Sequence, residues 1–390
     1  MMDDGSGICY QNCDVGLYDI MRMTPLFRNS FLPAMIFIFE LAASVSAQDS
    51  LHTDLKQDSA FHINDSTRLS PAYILQGGIL EKNSLSLQSR KWLVAGTHAA
   101  IWAGSYITLN NAWYAGYPKS RFHFFNDWDE WGKMDKLGHV WTAYNLGRVS
   151  GAMWKWTGMN PNTAVWLGGA SALAYQSIVE VLDGYSSKWG FSMGDVTANI
   201  IGAGAYVAQE LAWKDQRIQI KLSYWPYDYP ANLVARRNEL SGSSPLERIL
   251  KDYNSQTYWL SANLKSFLPE TNLPAWLSIS VGYNSRLMLG GSSNIWKDKN
   301  GNIIDRSDIQ RYRRIFLAPD IDLSKINTKS KLLRSVFSLI NMIKVPLPAL
   351  EFDTRGKFLF PPISFFTNRF PFLSGNDLIL SLQNNFYWRH

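Results

Sequence analysis

Three short clusters hold most of the residues whose type and spacing suit chemistry. The first is Asp135-Lys136-x-x-His139. On a helix Asp135 and His139 lie four residues apart on one face, and Lys136 lies three residues before the same His. The second is Glu180-x-x-Asp183-Gly184, with Gln176 one turn earlier on the same side. The third is Ser192-x-x-Asp195-x-x-x-Asn199-x-x-Gly202. If His139, Glu180, Asp183 and Asp195 converge, a His with carboxylates can exchange protons as a general acid–base set or hold a divalent metal. Asp135, Lys136, Gln176, Ser192 and Asn199 would then orient the charged groups.

Each residue also has a plainer explanation. Ser192-x-x-Asp195 has the form of a capping box, and Asp195 there suits the helix dipole. Asp135 can serve a helix N-terminus, and Lys136 can pair with Glu180 across a bundle. Asp183-Gly184 reads as a helix stop in which Gly184 takes the left-handed conformation. Gln176 and Asn199 can bond between helices. His139, set among apolar and small residues, has the weakest such explanation, because a buried ring nitrogen needs a counterpart. His52, His62 and His98 show no ligand spacing. A P-loop, a dinucleotide glycine fingerprint, an HExxH motif and a Gly-x-Ser-x-Gly elbow are all absent from the sequence.

The clusters must be positioned by the elements around them. No Asp, Glu, Lys or Arg occurs from Trp92 to Pro118, or from Asn162 to Val179. The pattern predicts helices over about 90–112, 136–157, 162–182 and 193–213. Each is about 20 residues, a length that could cross a bilayer. They carry Gly, Ala, Ser and Thr, with small-x3-small pairs at Gly168/Ala172 and Ala198/Gly202 that permit close packing. Before Asp135, the run from Phe122 to Trp131 is rich in aromatic and acidic residues. It reads as a loop that buries its rings, or as an interfacial loop or lid.

After Trp213 the texture becomes that of strands: Gln219–Tyr224, Tyr258–Leu264, Leu277–Tyr283, Arg314–Ala318, Ala349–Phe352 and Leu378–Leu382. One further helix is expected near Lys331–Ile343. The fold class is therefore α+β, an apolar four-helix bundle followed by a β-rich C-terminal region. Six strands are too few for a standard closed membrane barrel. The expected organisation is a signal segment over 1–47 with a misassigned start, a polar linker over 48–87, the bundle over 88–215 and the β-rich region over 216–390.

Charged residues are 18% and aromatics 14% of the 390, and 11 of the 16 Trp lie between Trp92 and Trp213. Such a surface suits a lipid–water boundary and excludes a mainly disordered chain. Read from Met21 or Met23, the sequence shows Arg22 and Arg28, an apolar run from Phe31 to Phe39, and the small residues Val45 and Ala47. That is the pattern of an export signal with cleavage before Gln48. Setting its five acids and two bases aside moves the net charge from +6 to +9, a value suited to anionic headgroups. Both cysteines, Cys9 and Cys13, fall inside that segment, so the exported chain would carry no thiol chemistry and no lipid-bearing cysteine. Nucleic acid is not expected as a partner.

The ordered set from Met134-Asp135-Lys136 through His139, Glu180, Asp183, Ser192 and Asp195 to Asn199 and Gly202 resembles a known family. This is the YfiM-like family of predicted periplasmic lipoproteins (domain of unknown function 2279), over about residues 90–215. A more distant resemblance is to VanZ-like membrane proteins. The resemblance implies a four-helix core and an envelope location, and no mechanism; taken with the composition, the bundle is expected at or in a membrane, at the outer membrane or its periplasmic face. Two function classes stay open. One is a non-catalytic, membrane-associated structural or binding module that meets lipid or an envelope component. The other is a hydrolase or transferase on a lipid or cell-wall precursor. There His139 is base or metal ligand, Glu180 and Asp183 are its acidic companions, and Asp195 and Asn199 orient it. The first is preferred, because each acidic residue already has a structural use. Cofactor and metal are left unassigned.

Overall fold

The computed structural model describes residues 85–114, 117–298 and 300–359. The expected signal segment, nearly all of the expected linker and the strand expected at Leu378–Leu382 lie outside the described residues.

Four long helices come first. Helix α1 spans Leu87–Leu109, α2 Met134–Trp156, α3 Pro161–Gly184 and α4 Met193–Trp213. Their starts are set by local chemistry. Ser86, Asn160 and Ser192 each accept a backbone N–H of the first turn, and Pro161 follows Asn160 where its missing N–H costs nothing. Helix α2 is entered differently. Trp131, Gly132 and Lys133 all have positive φ, and this left-handed turn swings the chain from the aromatic loop into the helix.

Packing within the bundle depends on absent side chains. A Cβ on Gly202 of α4 would stand 2.3 Å from the Val140 carbonyl oxygen of α2. One on Gly168 of α3 would stand 2.6 Å from the Gly151 Cα of α2. Central α2 is therefore approached at backbone distance from both sides, as the small-residue spacing predicts. Helix α1 rests on α2 through Val94 and Met153.

Beyond α4, strands β1 (Ile218–Tyr224), β2 (Gln256–Asn263), β3 (Leu277–Arg286), β6 (Tyr312–Ile321), β7 (Leu350–Asp353) and β8 (Phe358–Leu359) form one antiparallel sheet in the order β1-β2-β3-β6-β7-β8. The overall class is α+β, as expected. Ile220 joins Tyr144, Val165 and Tyr206, while Leu222 and Tyr258 join Met134, so β1 and β2 dock on the helices.

Several elements were not anticipated. Helices α5 (Val234–Ser241) and α6 (Pro245–Lys251) interrupt the β-rich region. Helix α6 opens on a complete Ser244/Glu247 capping box with Pro245 inside it. Helix α7 is one turn, Leu264–Phe267. A hairpin pairs β4 (Ile295–Lys297) with β5 (Ile303–Asp305) around Asn300-Gly301. The helix expected to reach Ile343 is α8, Lys331–Ile340, and ends earlier. Asn341 turns back to donate to Asp322 at 2.9 Å, and residues 342–344 bond instead to Leu222 on the edge of β1.

Candidate functional site: a buried His–carboxylate–Lys cluster

The three clusters meet, with α2 in the middle. Lys136 Nζ lies 2.7 Å from Asp195 Oδ1 of α4, 2.7 Å from Asp127 Oδ1 of the aromatic loop and 3.2 Å from Asp135 Oδ2. One turn on, His139 stands between α3 and α4. Its Nε2 is 3.6 Å from Asp195 Oδ1, and its Nδ1 is 3.5 Å from Glu180 Oε1 and 3.1 Å from Asn199 Oδ1. Gln176 donates to Asn199 Oδ1 at 2.9 Å and its amide nitrogen lies 3.3 Å from His139 Nδ1. Gly202 makes this convergence possible, since it lets α4 approach α2 closely two turns after Asp195 and one turn after Asn199.

Two explanations given for the acidic residues change. Ser192 does cap α4, accepting the Asp195 N–H at 3.1 Å, and it donates to Asp127 Oδ1 at 2.5 Å. The Asp195 carboxylate does not complete the box; it turns into the bundle toward Lys136 and His139. Lys136 does not pair with Glu180 and instead takes three other carboxylates. Gly184 also departs from expectation. Its φ is not positive, and its need is steric, because a Cβ there would stand 2.4 Å from the Phe122 ring.

Asp183 is the predicted member that stays outside the His139 contacts. Its Oδ1 accepts the Tyr114 hydroxyl at 2.8 Å and so ties the end of α3 to the turn after α1. Two contributors went unrecognised. Asp127 belongs to the aromatic loop, outside any helical spacing that could have marked it. Tyr253, between α6 and β2, donates to Asp135 Oδ1 at 2.6 Å. It binds the helical and β-rich parts at the cluster itself. The loop buries few of its rings: Trp131 packs on the cluster around Met134, while Phe122, Phe124, Phe125 and Trp128 remain exposed.

Electrostatics follow from burial with too few cations. Glu180 is fully buried, and neither carboxylate oxygen has a hydrogen-bond partner. Burial pushes its pKa up to about 8 against the opposing pull of His139. Burial likewise pushes Asp183 up to about 7, in spite of its hydrogen bond from Tyr114. Asp195 is also raised, first by burial and then by the neighbouring Asp135 charge. His139 is raised: burial disfavours its cation, but Asp195, Asp135 and Glu180 together outweigh it. Asp135 is lowered, because His139, Lys136 and the Tyr253 hydroxyl overcome its desolvation. The cluster therefore holds shared protons at neutral pH, an arrangement able to accept or release them.

Asp135, His139 and Asp195 present one ligand atom each within 4.8 Å of one another. The Lys136 ammonium is already bonded to both of those carboxylates, so a metal would compete with it for their oxygens. Hydrogen bonds account for every member except the Glu180 carboxylate, whose one charged contact is His139 at 3.5 Å.

Residues 123–210 match the family described as predicted periplasmic lipoprotein (DUF2279). That stretch includes Asp127, Lys136, His139, Glu180, Asp195 and Asn199, and excludes α1 and the sheet. No curated protein and no solved structure matches this chain.

Proposed function

We propose that this chain is an exported cell-envelope protein that works as a membrane-associated structural or binding module at the outer membrane or its periplasmic face. The observation that carries the reading is the inverted polarity of the bundle. Its ionisable groups are inside, while the exposed positions of α3 and α4 include Trp166, Ile178, Val181, Ile200, Ile201 and Leu211 and no charged residue. From Trp92 onward α1 is also free of Asp, Glu, Lys and Arg. A buried charged network is tolerable in any fold that satisfies it, but a charge-free exterior three helices wide favours lipid or an apolar partner over water. The family's description supports the envelope location. By length and composition α3 could cross a membrane, a property it shares with buried core helices. The reading requires contact with a membrane and not a crossing by α3.

In this role Lys136, His139 and their carboxylates cross-link α2, α3, α4 and the aromatic loop. The test is fractionation of cells that express the full chain. Retention in the envelope after high-salt and carbonate washing is expected, and release into the soluble fraction overturns the reading.

One observation favours a second role, acid–base catalysis on a lipid or cell-wall precursor: the Glu180 carboxyl accepts no hydrogen bond and lies 3.5 Å from His139. His139→Gln and Glu180→Gln variants that fold normally and lose turnover of such a precursor would support it. Unchanged turnover would remove it.

A further inference from the structure

The six-stranded sheet carries its polarity the reverse of a sheet that faces water. Residues paired across antiparallel strands share a face, so the register sorts the side chains. One face holds Lys221, Ser261, Ser280, Asn284 and Asp320, each fully buried, around an apolar cluster of Trp259, Phe316 and Ala318. Several of the polar groups there pair with one another, although Ser278 Oγ and Asp320 Oδ1 have no hydrogen-bond partner. Lys221 Nζ is 2.9 Å from Asp320 Oδ2, and Ser261 donates to the same oxygen at 2.6 Å. Arg314 donates to Asn284 Oδ1 at 2.8 Å and pairs with Glu351. The opposite face, past the part of β1 and β2 covered by helices, is apolar and open. Leu260, Val281 and Leu317 form one row across β2, β3 and β6. Ile315, Phe352 and Phe358 form the next across β6, β7 and β8. Leu260, Val281 and Ile315 are 55%, 51% and 53% exposed.

We propose that this outer face lies against the acyl chains of a phospholipid bilayer. The inference rests on the membrane-associated reading above and assigns the sheet its own contact surface. Three observations select lipid as the occupant. A polar interior with an apolar exterior is the pattern of sheets solvated by hydrocarbon, and it is the opposite of the half-buried sheet in water. The band is free of charge, and the cation on its face, Arg313, stands in the end row opposite Ser285, where a headgroup phosphate would meet it. At the other end Trp276, just before β3, is exposed as an interfacial ring would be.

The experiment uses the full chain in vesicles of phosphatidylethanolamine and phosphatidylglycerol that contain a phospholipid with a photoreactive diazirine in its acyl chain. Illumination is expected to label peptides holding Val281, Leu317 and Phe352 several-fold more than the charged, largely exposed residues 306–308. Ile315→Lys, which leaves the buried face untouched, is expected to lower vesicle retention by about tenfold or more. Equal labelling of the band and of residues 306–308 overturns the proposal. So does protection of the band in lipid-free detergent, whether lost on dilution, which identifies a second copy, or lost on removal of residues 360–390, which identifies that segment. Carbonate-resistant envelope retention without band labelling would leave the membrane reading standing and remove this one alone.

Discussion

Lys136 of α2 holds Asp195 of α4 at 2.7 Å, and both side chains are less than a tenth exposed. This contact carries two others with it, because the same ammonium also reaches Asp127 and Asp135. It joins the aromatic loop, α2 and α4 at one atom.

Removing that atom leaves three carboxylates without their cation. Lys136→Met is therefore expected to destabilise the fold by about 3–5 kcal/mol, the usual cost of an uncompensated buried charge. Thermal or denaturant unfolding in mild detergent measures it. Adding Asp195→Leu should recover part of the loss, since the pair is then replaced by apolar volume. A Lys136→Met protein as stable as wild type would show that the carboxylates are neutral without the ammonium.

Stability should fall as pH rises. Glu180 titrates near 4.5 when unfolded and at about 8 in the fold, so between those values the folded chain binds more protons than the unfolded one. Its contribution is complete below about 4.5 and lost as pH passes 8. His139 acts in the same direction: its folded pKa lies above 6.5, so its contribution is present below that value and lost as pH climbs through the folded one. Asp135 is lowered and acts oppositely, but only below its ordinary value of 3.8. The melting temperature is thus expected to be higher at pH 5.5 than at pH 8.5, with Glu180→Gln flattening the slope. A flat or rising profile for the wild type would contradict this account of Glu180.

Gly202 and Gly204 form a matched pair on α4. Gly202→Ala places a methyl group 2.3 Å from the Val140 carbonyl oxygen and should cost about 1–3 kcal/mol. A Cβ on Gly204 meets nothing within 4 Å, so Gly204→Ala should be neutral or stabilising by up to about 1 kcal/mol. Unfolding of both variants under one condition decides it. Equal effects would mean that α4 does not approach α2 at backbone distance.

Tyr253→Phe removes the hydroxyl that donates to Asp135 Oδ1 at 2.6 Å. Hydrogen bonds to charged groups are worth about 1.5–3 kcal/mol, and a loss of that size is expected. Because this bond joins the β-rich part to α2, hydrogen exchange should quicken around Asp135 as well as around Tyr253. Faster exchange confined to the Tyr253 segment would show that the two parts are held together elsewhere.

Much of this was readable from local pattern. Ser192 announced the start of α4, and charge-free runs marked α1 and α3. Alternation marked β3 and β6, although both run longer than their strictly alternating cores. The Ser244/Glu247 box before α6 was equally local and equally legible, yet it sat inside a stretch taken as strands and turns. Asp127 left no such trace. It reaches Lys136 because the loop bonds to the α3–α4 connection, His123 to Gly184 and Phe125 to Phe191, across about sixty residues of chain.

The sequence by itself determined which residues share a helix face, where helices begin and which strands have two unlike faces. Each of these follows from spacings of two to four residues. Only the tertiary structure decided that Asp195 turns inward and does not finish its cap, that Asp183 pairs with Tyr114 away from His139, and that the polar face of the sheet is the buried one. The physical reason is common to all three. Periodicity shows that two faces differ, but which face is enclosed depends on what distant segments place against it and on what solvent meets the other side.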